Sequence, residues 1–227
     1  MNEPQADDAT FMFAFAHDLR AHLRTMQTRV QLVQRAAKDS LGEQESLWLE
    51  EAVAAGENMG RLIGAVASYY AVSPAADTMP LGLLLRGLQI EMKKALTDAG
   101  AELTSTAVEA EVSRGLAVVL RELVGNSCKF RPTGIATVIR IEARMAGPDT
   151  LEVTVTDNGS GVGPEFVETI FEPFRRLNPA HDFPGFGLGL PLCRRILEAN
   201  RGSIEAIRPP DGGLCQRILM PARLLPQ

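Results

Sequence analysis

Leu151, Val153 and Val155 alternate with polar residues and so share one face of a strand, and the next residue on that inward face is Asp157. An unpaired carboxylate buried there is expensive. Either it lies at the strand's open end or it accepts hydrogen bonds in a pocket. It opens the run Asp157-Asn158-Gly159-Ser160-Gly161-Val162-Gly163, and a second glycine cluster, Gly185-Phe186-Gly187-Leu188-Gly189, follows. Such glycines suit close backbone approach to a ligand, with N–H groups turned toward phosphate oxygens. On its own, Asp-Asn-Gly equally suits a plain turn.

The N-terminal part has a different grammar. Asp8 to Ser40 contains no Pro or Gly and predicts one long helix, with Phe15, Leu19, His22, Met26, Val30 and Val33 near heptad spacing. His17, Arg20, Ala21, Arg24 and Thr28 form a neighbouring polar stripe. After a turn at Asp39-Ser40-Leu41-Gly42, a second helix over Glu43 to Tyr70 carries Trp48, Ala52, Ala55, Met59, Leu62, Val66 and Tyr69 in four-three alternation. Two helices cover little of each other's apolar surface, so a four-helix bundle made by two copies of the chain is expected.

The linker Val72-Ser73-Pro74-Ala75-Ala76-Asp77 separates that hairpin from a mixed α/β region, giving domains over 1–72 and 78–227. The second domain is expected to contain helices over Pro80 to Ala99 and Ser113 to Phe130, the latter stopped by Pro132, with a strand over Ala101 to Ala107. A hairpin then pairs Ala136 to Arg144 with Thr150 to Thr156. A short helix starts at Pro164, and a closing loop spans Glu172 to Phe186. A helix over Gly187 to Asn200 precedes two strands, Ser203 to Arg208 and Cys215 to Pro221. On the helix over 113–130, Leu116, Val119, Leu120 and Leu123 face the core, while Glu122, Asn126 and Lys129 project an acid, an amide and a cation from another face. Solvated helix surfaces also look like this.

Composition narrows the function classes. A net charge of −5 with no long basic run argues against nucleic acid as a partner. No apolar run approaches the ~18 residues of a membrane span, and the acidic start lacks the basic residues of a signal peptide, so a cytoplasmic protein is expected. Cys128, Cys193 and Cys215 are odd in number and widely spaced, which fits neither a disulfide framework nor a zinc site. Pro164 and Leu190 stand where G-x-G-x-x-G needs its last glycine, and no P-loop motif occurs. His17 and His22 are five apart, about 140° around a helix, and cannot act as a helical metal pair.

Five motifs, in order, resemble those of sensor histidine kinases. Phe15-Ala16-His17-Asp18-Leu19-Arg20 is similar to the H box and Glu122-Leu123-Val124-Gly125-Asn126-Ser127-Cys128-Lys129-Phe130 to the N box. The run from Asp157 to Gly163 is similar to the G1 box, Ile170-Phe171-Glu172-Pro173-Phe174-Arg175-Arg176-Leu177 to the F box, and Gly185 to Leu190 to the G2 box. The resemblance implies an α+β chain: a dimerising phosphotransfer hairpin followed by an α/β sandwich of the gyrase/Hsp90-like ATP-binding type. It further implies that His17 takes the γ-phosphoryl group of ATP and that Asp18 serves as base or holds the ring. Asn126, assisted by Glu122, would bind Mg²⁺, Lys129 would meet phosphate, and Asp157 would accept from the adenine amino group. Gly159, Gly161, Gly185, Gly187, Leu188 and Gly189 would shape the pocket and lid.

The implied partners are a response regulator's receiver domain, a second copy of the chain, and a separate sensor protein or a sensor domain outside this sequence. Two other readings compete: a kinase-like dimer that relays phosphoryl groups or scaffolds receivers without ATP, and an anti-sigma-type serine kinase. Three departures from the family pattern stand out. His22 replaces the usual proline, predicting a weaker bend after His17. Phe186 replaces a small polar residue in the lid. Ala21 replaces the Thr or Asn that usually supports phosphatase action.

Overall fold

The structure is a computed structural model that describes residues 4–38, 40–75, 77–131, 134–177 and 185–225. Asp39 of the expected turn, Ala76 of the linker, Pro132, and residues 178–184 of the expected closing loop lie outside the described residues. The chain divides into two compact units, Met1–Ala71 and Val72–Gln227.

The first unit is an antiparallel hairpin of α1 (Pro4–Ala36) and α2 (Glu43–Tyr70). The α1 helix runs unbroken past His17 and His22, as expected where no proline removes a backbone donor. The covered stripe differs from the expected seam. In α1 it consists of Met12, Ala16, Arg20, Leu23, Gln27, Val30 and Gln34, and in α2 of Ser46, Leu49, Val53, Gly56, Gly60, Ile63 and Ala67. Both keep heptad spacing, with Ala16, Leu23 and Ile63 buried between the helices and Gly56 and Gly60 on the α2 side. At Gly56 a Cβ would lie 2.9 Å from the Gln27 side chain, which would have to shift to admit it. Most of the larger apolar residues named from the sequence face outward instead: Phe15, Leu19, Met26 and Val33 on α1, Trp48 and Met59 on α2. Close helix approach selects small residues, and this leaves the bulky heptad uncovered in the single chain.

The second unit is a two-layer sandwich. Its five-stranded sheet has the order β2-β4-β5-β7-β6 (Ala101–Ala107, Thr137–Gly147, Thr150–Asp157, Leu214–Pro221 and Ser203–Ile207). β2 and β4 are parallel and every other pair in this sheet is antiparallel. One face alternates into the core through Ile139 and Ile141, Leu151, Val153 and Val155, and Ile218 and Met220. Against it lie α3 (Leu81–Ala99), α4 (Gly115–Lys129) and α5 (Gly189–Ala199). A smaller sheet of β1 (Thr78–Pro80), β3 (Ala110–Ser113) and β8 (Arg223–Leu224) closes one side. None of its three strands was expected, because two to four residues are too few to establish an alternating pattern. The expected helix at Pro164 is two short 3₁₀ turns, Pro164–Phe166 and Thr169–Phe171.

Asn200, at the C-terminal end of α5, ties three segments. Its Oδ1 accepts from Ser113 Oγ at 2.8 Å and from the Ala75 N–H at 3.1 Å, while its Nδ2 donates to the Ile196 carbonyl at 2.7 Å. Among the described residues no helix is long and apolar enough to cross a membrane.

Leu120 lies wholly in the core between α4 and the sheet, whereas Ile90 on α3 is 78% exposed. Leu120→Ala is expected to destabilise the second unit by about 2–5 kcal/mol, and Ile90→Ala by no more than about 0.5 kcal/mol. Chemical denaturation followed by circular dichroism distinguishes the two.

Candidate functional site

The open end of α4 gathers the site. Asp157 closes β5 on the inward face and is 8% exposed. Its Oδ1 accepts from the Gly159 N–H at 2.8 Å and the Leu214 N–H at 3.3 Å, and its Oδ2 accepts from Ser127 Oγ at 2.8 Å. The buried carboxylate is thereby satisfied from the turn that follows it, from β7 and from α4.

Glycines let the backbone close on this centre. Gly213 has φ +78, and a Cβ on it would run into the Asp157 carbonyl. Gly161, at φ +65, would bring a Cβ to 2.7 Å from the Gly213 carbonyl oxygen. Asn158 continues the ladder past the strand end, its Oδ1 accepting from the Val138 N–H and its Nδ2 donating to the Ala136 carbonyl, both at 2.8 Å. Ser160 N–H and Oγ both donate to the Phe130 carbonyl. The turn is therefore fixed between α4 and β4.

The second glycine cluster meets the other face of α4. A Cβ on Gly189 would lie 2.8 Å from Glu122 Oε2, and one on Gly185 would lie 3.1 Å from Lys129 Nζ. Gly187 takes φ +69, and its carbonyl accepts the Phe174 N–H at 3.0 Å. Phe174 itself has φ +63, a conformation an aromatic residue adopts only when its surroundings impose it. Leu188 is buried and precedes the first turn of α5, whose N-terminal amides have no partner within the helix. Glu122, Asn126 and Lys129, with Asp157 and both glycine clusters, thus converge on one end of the second unit.

Electrostatics shift the two charged groups on α4 in opposite directions. Burial raises the Glu122 carboxyl above its ordinary value, with the Arg121 guanidinium opposing the rise. Burial lowers the Lys129 ammonium, and the charge of Arg176 lowers it further. Lys129 also stands over the Phe130 ring, 4.6 Å from its centroid. Among the described residues no group of three or more His, Cys, Asp or Glu side chains could hold a metal. Asn126 and Glu122 supply hard oxygens without forming a cage, which suits an ion that keeps waters and substrate phosphates as ligands.

His17 and Asp18 lie on α1 in the first unit, with side chains 67% and 77% exposed and His17 Nδ1 3.2 Å from Asp18 Oδ1. If Nδ1 carries the proton, that contact leaves the lone pair on Nε2, facing solvent.

Sequence reasoning gives no role of their own to Ser127 and Asn158, which enter it only inside longer motif runs, nor to Gly213. Ser127 had left a signal: it falls four residues after Leu123, so a hydroxyl interrupts the apolar face of α4 and needs a partner.

Residues 111–224 match the family described as histidine kinase-, DNA gyrase B- and HSP90-like ATPase, half of the chain. The chain belongs to this family. Within it the likeness is to sensor histidine kinases. The chain is 38% identical over 109 residues to the sensor protein KdpD of Escherichia coli (strain K12), covering 48% of this chain and 12% of that protein. It is 28% identical over 222 residues to the phytochrome-like protein Cph1 of Synechocystis sp. (strain ATCC 27184 / PCC 6803 / Kazusa), covering 94% of this chain and 29% of that one. The chain therefore spans less than a third of the length of these curated relatives. Its fold matches that of full-length ShkA in complex with AMPPNP, with a TM-score of 0.73 over 97% of this chain and 47% of the other at 19% identity. The second unit is an ATPase-type domain of this family.

The opposed shifts of Glu122 and Lys129 give a pH prediction. With Glu122 in the role of metal ligand that the family resemblance implies, affinity for Mg-ATP would fall on acidification through its raised value, in milder acid than for an ordinary glutamate. Phosphate favours the charged ammonium. With Lys129 in its expected phosphate-contacting role, its own contribution would be complete below its lowered value and decline as pH rises through it. Titration calorimetry across pH should yield a bell, and Glu122→Gln should remove its acid limb.

Proposed function

We propose that the chain is the kinase core of a two-component sensor: it phosphorylates His17 from ATP and passes the phosphoryl group to an aspartate of a response regulator. The observation carrying this reading is the exposed His17–Asp18 pair on a helical hairpin, in the same chain as a glycine-lined ATPase site. A serine kinase with the same ATP domain has no need of that hairpin.

The roles follow from chemistry. Asp18 accepts the Nδ1 proton and orients the ring, so the Nε2 lone pair attacks the γ-phosphorus; an N–P bond forms, the bond to the β–γ bridging oxygen breaks and ADP leaves. The positive charge gained by the ring is relieved as Asp18 takes the Nδ1 proton. Asp157 accepts from the adenine amino group, Lys129 and the first amides of α5 hold phosphate oxygens, and Gly185, Gly187, Leu188 and Gly189 form the lid. Asn126, with Glu122 directly or through water, would hold Mg²⁺, which would supply neutralising charge to the substrate phosphates. The outward heptad of Trp48, Met59, Phe15 and Met26 is the surface a second copy would cover in a four-helix bundle. A cytoplasmic location fits these substrates. The input comes from a separate sensor or from a domain outside this sequence.

Incubation with γ-labelled ATP and Mg²⁺ should give acid-labile, base-stable label, and His17→Gln should lose it. Acid-stable label would instead indicate a serine kinase. Asp157→Asn should weaken ATP binding, and light scattering at micromolar concentration should give a dimer mass.

Ala21 lies four residues beyond His17, on the half-buried side of α1, and offers no side-chain hydrogen bond to water. Losing one contact that positions an attacking water slows a reaction on the order of 10²-fold. Dephosphorylation of the phosphorylated regulator in the presence of Mg-ADP should therefore be slow for the parent and faster for Ala21→Thr. Rapid hydrolysis by the parent with no gain in the variant would show that another group positions the water.

A further inference from the structure

We infer that Ser127 is a positioning residue that makes the site selective for a nucleobase presenting an amino group rather than a carbonyl. The inference rests on the ATP-dependent reading above and assigns part of its base recognition to a residue outside the glycine boxes.

Ser127 is 2% exposed on α4, and its Oγ lies 2.8 Å from Asp157 Oδ2 and 3.2 Å from the Leu123 carbonyl oxygen. A hydroxyl has one proton. An ionised carboxylate is the stronger acceptor and here the nearer one, so the proton goes to Asp157 rather than back along the helix. Asp157 Oδ1 already accepts two backbone N–H groups, from Gly159 and Leu214. A carboxylate has about four lone-pair sites. Three donors fill three of them, and the remaining site is on Oδ2, beside the Ser127 bond.

Two consequences follow for a ligand. The carboxylate is fixed at both oxygens, so its last acceptor site has a set direction and needs no reordering on binding. With the hydroxyl proton committed, neither Ser127 nor Asp157 offers a donor. A base presenting an N–H completes the set, whereas one presenting a carbonyl sets oxygen lone pairs against a carboxylate. Without the hydroxyl, Oδ2 keeps its charge but loses its fixed direction and a buried donor.

The test compares ATP with purine riboside triphosphate, which lacks the 6-amino group, by titration calorimetry with Mg²⁺ on the whole chain. The parent is expected to bind ATP more tightly. In Ser127→Ala, ATP affinity should fall about tenfold, in line with the loss of a hydrogen bond to a charged group, while the affinity for purine riboside triphosphate falls less than twofold. Ser127→Thr, which keeps the hydroxyl, should restore the preference. Melting without nucleotide checks that the variants fold. Equal losses for both nucleotides in Ser127→Ala, or an ATP affinity within twofold of the parent, would overturn the role of Ser127 while leaving the kinase reading intact. A parent that binds both nucleotides equally would overturn Asp157 as the amino acceptor and Ser127 with it. A parent that binds neither would overturn the ATP-dependent reading itself.

Discussion

A carboxylate buried at the inward end of an apolar strand is the constraint from which the second unit's site follows. Leaving Asp157 unpaired would be worth several kcal/mol against folding, and no single neighbour can satisfy it. Three donors come from three elements: the turn after β5, the start of β7 and the last turn of α4. Bringing backbone from the first two so close excludes side chains at the contact, which is why Gly159, Gly161 and Gly213 stand where they do. The pocket's walls are therefore largely the hardware that makes one charge tolerable.

The same economy of approach shapes the hairpin. Where the helices bury Ala16, Leu23 and Ile63, α2 presents Gly56 and Gly60, and a Cβ on Gly56 would press on the Gln27 side chain. Small residues bury little area. At roughly 25 cal/mol per Å², such a seam offsets little of the entropy of ordering two helices of 33 and 28 residues. The larger apolar groups, Trp48 at 58% exposure and Met59 at 55%, face away from it. Heptad periodicity alone cannot distinguish these stripes, because both repeat every 3.5 residues on adjacent faces of one helix.

That ambiguity marks where sequence stops being legible. Bounds were readable where punctuation was strong: Gly42 and the end of the aromatic pair Tyr69-Tyr70 frame α2, and Gly100 in its left-handed cap conformation separates α3 from β2. The line of Glu122, Asn126 and Lys129 was readable because three- and four-residue steps share a helix face. Ser127 was not singled out, since a lone serine is common on any helix and only the register of β5 against β7 and the placing of α4 turn it toward Asp157. Gly213 was equally silent. Asp211-Gly212-Gly213 reads as an ordinary turn until Asp157 needs the Leu214 N–H beside it. In both cases the deciding partner is more than 25 residues away, and local pattern carries no information about it.

The helix after the second glycine cluster has a different tie at each end. Its first residue, Gly189, rests against Glu122, while Asn200 at its far end holds Ser113 and the backbone of Ala75, close to where the chain enters the second unit. Between them α5 spans 11 residues, with Cys193, Ile196 and Leu197 buried against the core. A packed helix of this length moves as a rigid body more readily than it bends. The Gly189 contact with Glu122 and the Asn200 bonds to Ser113 and Ala75 therefore belong to one packed helix. Asn200 has little freedom to let go, because its Nδ2 is held by Ile196 on its own helix, and that bond fixes the direction of the Oδ1 that grips the other two.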